Sequence, residues 1–97
     1  MSNSIVGLCT IELYLPGMSS LKDKRRILKS LLTRMRNTFN VAAAEVGHQD
    51  KWQVALISFT TVSNSAAYTQ RVLEDVLRWI DGAFPDIQVM SEEIDLL

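Results

Sequence analysis

Glu45, His48 and Asp50 are the residues whose types could ligate a metal or move a proton, one imidazole between two carboxylates. Their spacing argues against both uses. On a strand that runs into a turn, residues three apart do not converge on one point, so His48 reads as an exposed loop imidazole, Asp50 as a cap of the turn and Gln49 as a partner for backbone groups. Cys9 is the single cysteine. It lies in an apolar run with no organised base, which makes it a buried small hydrophobe and excludes an intramolecular disulfide. No catalytic residue, metal centre or cofactor is expected, and the residues name no reaction.

Anion capture is a second chemistry to weigh. The loop Pro16-Gly17-Met18-Ser19-Ser20 leads into a helix whose first amides are free, so Gly17, Ser19, Ser20 and Lys24 could hold one phosphate. The glycine spacing of a Walker loop is absent, and ordinary helix capping uses the same residues. Ser19 or Ser20 serves as N-cap, and Asp23 stands at the third helical position in a weaker form of the capping box.

The largest signal is positive charge. Seven of the ten Lys and Arg residues lie between positions 16 and 39, against Asp23 alone. That segment therefore carries about six net positive charges and the remainder about seven negative, in a chain whose total is −1. At ~100° per residue, Leu21, Leu28, Leu31, Leu32 and Met35 share one arc, with Ile27 at its edge. Lys22, Arg25, Arg26, Lys29, Thr33 and Arg36 share the neighbouring arc, while Lys24 and Arg34 lie off that stripe. Lys22, Arg25, Arg26, Lys29 and Arg36 are the candidates for contact with a nucleic-acid backbone, since cations on one helical face release counterions from a polyanion. A solvated helix face, or an acidic protein surface including that of another copy, is the competing use.

The elements that must position these groups follow from periodicity. Alternation predicts strands over 5–15, 41–46, 52–62 and 87–93, with a hairpin at Gly47-His48-Gln49-Asp50. Helical spacing of Val72, Leu73, Val76, Leu77, Ile80 and Phe84, after the caps Ser63-Asn64-Ser65, predicts a second helix that ends at Phe84-Pro85. The order β-α-β-β-α-β predicts one ferredoxin-like α+β domain over 1–97, a four-stranded antiparallel sheet with two helices on one face.

Two expectations follow from that topology. With the first and third strands taken as parallel, both helices begin at one end of the sheet, bringing Gly17, Ser19 and Ser20 toward Ser63, Asn64 and Ser65. The uncovered face carries Val6, Leu8, Tyr14, Trp52, Val54 and Leu56, an apolar surface that calls for a partner. Tyr14, Trp52, Val54 and Leu56 are the candidates for self-association there. Tyr14 and Trp52 also invite base stacking, but the strand Lys51 to Phe59 lacks the glycines and aromatic spacing of an RNA-recognition motif.

The run Leu13-Tyr14-Leu15-Pro16-Gly17, then Ser20-Leu21-Lys22-Asp23-Lys24-Arg25-Arg26, Phe39-Asn40-Val41, Ala44-Glu45-Val46-Gly47 and Gln49-Asp50 with Trp52-Gln53, resembles the YlxP-like family of small bacterial proteins. The resemblance covers nearly the whole chain and implies a ferredoxin-like domain of unknown function, often encoded among genes for translation and ribosome maturation. It carries over no catalytic residue.

The functional expectation is a non-enzymatic binding module that meets RNA or the ribosome through its first helix. The alternatives are a small protein or enzyme for a phosphorylated ligand at the helix N-termini, and a homo-oligomeric structural protein whose basic helix meets its own acidic tail. No apolar run approaches the ~18 residues of a membrane span and no signal pattern opens the chain, so the expected place is the cytoplasm, with no membrane partner.

Overall fold

Apolar residues at every second position of Ile5–Tyr14 make the central strand of the sheet, β1, with Cys9, Ile11 and Leu13 fully buried on one face. The computed structural model describes residues 3–97. After β1 come α1 (Leu21–Thr38), β2 (Ala42–Gly47), β3 (Val54–Ser63), α2 (Ala66–Ala83) and β4 (Gln88–Leu96). The four strands form one sheet in the order β2-β3-β1-β4 with every neighbouring pair antiparallel, the split βαβ arrangement of a ferredoxin-like α+β domain.

Both helices lie on one face of the sheet. Cys9, Ile11 and Leu13 of β1 and Ala55, Ile57 and Phe59 of β3 meet Leu28, Leu31 and Met35 of α1 and Leu73, Val76 and Ile80 of α2 in a single core. Gly7 is required where α2 passes closest: a Cβ there would stand 2.4 Å from Thr69 Cγ2 and 2.9 Å from Leu73 Cδ1. The side that a sequence reading sees as a gap is thus the seat of a helix.

Two boundaries differ from expectation by more than one residue. The third strand starts at Val54, because Trp52 and Gln53 lie in a bend where only Gln53 O, accepting from Leu15 N at 2.7 Å, continues the ladder. The last strand runs to Leu96, so the acidic segment Glu92 to Asp95 is paired with β1 and is no loose tail. It carries a bulge opposite Glu12 and Leu13. The direction of β1 against β3 is also corrected: Tyr14 pairs with Val54 and Ile5 with Ser63, an antiparallel register. A strand inserted between the two parallel strands of a βαβ unit must oppose both, so α1 and α2 begin at opposite ends of the sheet.

Candidate functional site

Ser20 ends the loop in extended conformation and its hydroxyl accepts from Asp23 N at 3.1 Å, which starts α1. Asp23 does not close a capping box onto Ser20. Its carboxylate accepts from the Ser19 hydroxyl at 2.7 Å and from Arg26 at 3.4 Å, and these contacts, the Ser19 bond foremost, hold its carboxyl below the usual aspartate range.

The stripe emerges along the exposed side of that helix. Lys22, Arg25, Arg26, Lys29 and Arg36 are all exposed. Arg26 shares its charge with Asp23 and is still 82% exposed, and Arg36 donates to the Ala43 carbonyl on the outer edge of β2 at 3.1 Å. Lys22, Arg25 and Lys29 have no ion-pair partner among the described residues. Arg34 is used differently: its guanidinium lies over the Phe84 ring at 4.6 Å and the Trp79 ring at 6.0 Å, sealing the far end of the core with the edge-to-face pairs Phe39–Trp79 and Trp79–Phe84.

Lys24 is the main surprise of α1. It is 1% exposed, its Nζ stands 3.0 Å from Glu45 Oε2, and it donates to the His48 carbonyl at 2.5 Å. The Glu45 oxygen has no aligned hydrogen-bond donor, so that contact is an ion pair without a hydrogen bond. On the helical wheel Lys24 falls at about 300°, between Leu31 at about 280° and Met35 at about 320°, inside the core arc. That placement was the signal available in the sequence. Glu45 shares the helix-facing side of β2 with Ala43, opposite Ile57 and Phe59, so it points at Lys24.

His48 sits just beyond Glu45 with a φ of 56°, a left-handed conformation at the turn into the loop, and its Nε2 lies 2.8 Å from Glu12 Oε2 on the open side of the sheet. Its carbonyl also accepts from Lys51 N at 3.0 Å. One histidine residue thereby joins α1, the hairpin and β1. It is not the free loop imidazole that its sequence position suggests. Asp50 stands apart from this group, and no cluster of three or more His, Cys, Asp or Glu suited to a metal exists among the described residues.

The loop candidates are not brought together as expected. Gly17, with a φ of 79°, Ser19 and Ser20 lie at the Tyr14 end of the sheet, while Ser63, Asn64 and Ser65 lie at the Ile5 end. There Ser63 binds the Thr69 hydroxyl at 2.7 Å, and Ser65 caps α2 through Tyr68 N at 3.2 Å. The neighbour of the Gly17 loop is instead the C-terminal end of α2. Between them is a mostly apolar cleft of about 240 Å³ lined by Leu15, Met18, Ile27, Phe84 and Ile87, with Asp86 at its rim. Carbonyl ends and a carboxylate disfavour a phosphate, and Lys24 is committed to Glu45 and His48. Cys9 is fully buried in the core, where desolvation, aided by Glu92, pushes its thiol up to about 12.

The open face holds Tyr14, Val54 and Leu56, all half-buried, as the alternation requires. Trp52, expected on this face, is 50% exposed in the bend before β3 and lies outside the strand. At the opposite end Val6 of β1, expected on this face, forms one cross-strand row with Val62 of β3 and Leu97, the two residues that sequence reading missed. No helix of the described residues is long and apolar enough to cross a membrane.

The family model described as "Protein of unknown function (DUF503)" matches residues 6–94. The uncharacterized protein YlxP of Bacillus subtilis (strain 168) is 40% identical over 84 residues, which cover 87% of this chain and 90% of that protein. The de novo designed protein Foldit4 shares the fold alone, with a TM-score of 0.51 at 16% identity over 97% of this chain and 96% of the design.

Proposed function

The chain belongs to the DUF503 family of proteins of unknown function, and within it we propose a non-enzymatic module that binds RNA or a ribosomal surface through α1. The observation that carries this reading is the state of Lys22, Arg25 and Lys29: three exposed cations on one helical face, without acidic partners among the described residues. Lys24 and Arg78, by contrast, have counter-charges in Glu45 and Asp75. The positive end of the helix dipole at Leu21 adds to the field of the three unpaired cations. Six of the eleven acidic residues lie on β4 and α2, and α1 itself carries only Asp23.

The phosphorylated-ligand reading has less support, since the two helix N-termini are apart and the nearest cleft is apolar. Reversing Arg25, Arg26 and Lys29 to Glu tests the proposal. The wild-type protein is expected to recover ribosomal particles or RNA from a bacterial lysate at low salt and to lose them as salt rises. The variant, shown to be folded by circular dichroism, is expected to recover neither. Equal recovery by both proteins would dismiss α1 as the binding face.

A further inference from the structure

The open face of the sheet is sorted by row. One end carries Val62, Val6 and Leu97 across three strands, exposed by 62%, 36% and 71%, and the other carries Val54 and Tyr14. Between them runs a polar row in which the Thr10 and Ser58 hydroxyls bond each other at 2.8 Å. The face has no Lys or Arg on any strand, while Glu12, Glu93 and Asp95 lie on it, so it repels the polyanion that α1 would attract. Its occupant is therefore a protein surface.

We propose that this occupant is a second copy of the chain, packed sheet against sheet about a two-fold axis that runs along the strands. This axis keeps every row opposite itself. The Val62–Val6–Leu97 row buries its own counterpart, the Tyr14–Val54 row does the same, and the Thr10 and Ser58 hydroxyls meet hydroxyls. It also lays β4 of one copy over β2 of the other. There Ala42 and Ala44 leave a shallow trough of about 250 Å³ beside Leu8 and Thr60, and Arg36 stands at the outer edge on the Ala43 carbonyl. The acidic β4 side chains Glu93 and Asp95 fill that trough and reach the partner's Arg36, so the contact is complementary in charge as well as shape. Strands of ten, six, ten and nine residues, at ~3.3 Å per residue and ~4.8 Å between strands, give a face of roughly 550 Å², so two copies bury roughly 1,100 Å², just above the ~1,000 Å² that marks a biological interface. In this assembly Lys22, Arg25 and Lys29 of the two copies face outward on opposite sides, so the dimer takes only Arg36 from the stripe and leaves the three unpaired cations open to a polyanion.

Light scattering with size exclusion over about 10 to 500 μM reads the outcome directly. The wild-type protein is expected at twice its 10.9 kDa mass, and the Val62→Lys, Leu97→Lys double variant, altered only at exposed positions, at the monomer mass. Asp95→Arg or Arg36→Asp alone is expected to weaken the dimer about tenfold, and the two together to restore it. A chain bearing Val6→Cys mixed with one bearing Val62→Cys is expected to form a disulfide-linked pair. A wild-type protein that stays monomeric at the highest concentration overturns the proposal, as does a dimer that survives the double lysine variant with its affinity unchanged.

Discussion

α1 and α2 are each 18 residues long and each is capped by a serine, yet they handle charge in opposite ways. On α2 two polar contacts are i,i+3 or i,i+4 pairs, Arg78 with Asp75 and Gln70 donating to Glu74, and Arg71 is its one cation without an ion-pair partner among the described residues. On α1 the outward cations Lys22, Arg25 and Lys29 have no such partner; Arg26 shares its charge with Asp23 at the surface, and Lys24, paired with Glu45, is buried. Position explains part of the contrast. α2 lies across the centre of the sheet, over β1 and β3, and its buried face is built from Leu73, Val76 and Ile80 with Thr69 at the Gly7 contact. α1 lies toward the edge strand β2, which offers Ala43 and Glu45 on that side, and an ion pair completes a contact that apolar groups alone would leave thin. The difference teaches which charges are structural: paired and buried ones hold the fold, and unpaired exposed ones are available for a partner.

The strongest way to break this contrast is at Lys24. Lys24→Met leaves the Glu45 carboxylate, itself only 21% exposed, facing an apolar side chain, and is expected to lower stability by about 3 kcal/mol in urea unfolding. Adding Glu45→Leu is expected to recover most of that loss. A single substitution without effect would mean that the pair does not hold α1 to β2. Next in size is Gly7→Ala, which drives a Cβ into Thr69 and Leu73 and is expected to cost about 2 kcal/mol by the same measurement. Ser20→Ala and Ser65→Ala each remove a cap and are expected to cost about 1 kcal/mol, an equality that shows the two helices differ in charge and not in how they start.

The smallest effect is the pH response of Asp23. Its folded-state pKa is depressed, so the stability it contributes is present above the ordinary carboxylate value of 3.8 and fades as pH falls through the lower folded value. Comparing acid unfolding of Asp23→Asn with the wild type should show a difference above that range that closes at the acid end.

Periodicity made the element order legible because each strand and helix buries one face, and the core residues Leu28, Leu31, Met35, Leu73, Val76 and Ile80 all follow it. The basic stripe was legible for the same reason. Lys24 was not, because a charged side chain points to solvent by type whatever its angle on the wheel, and a lysine can be drawn into a core by one carboxylate that is 21 positions away in sequence. The His48–Glu12 contact joins residues 36 apart and exists only through the register of the sheet. The supposed convergence of the two helix N-termini failed on strand direction, which alternation within a strand does not report. Leu97 was passed over because a chain end shows too few residues for alternation to reveal a strand.

The central claim, that the unpaired α1 cations bind a polyanion, is tested most directly by the salt dependence of affinity for a single-stranded RNA oligonucleotide. Wild-type protein and the Lys22→Ala, Arg25→Ala, Lys29→Ala variant would be titrated at several salt concentrations. The account predicts a linear fall of log affinity with log salt in the wild type, and a slope flatter by about 2 in the variant, the loss of three backbone contacts. Identical slopes for the two proteins, or no binding by the wild type even at the lowest salt, would contradict it.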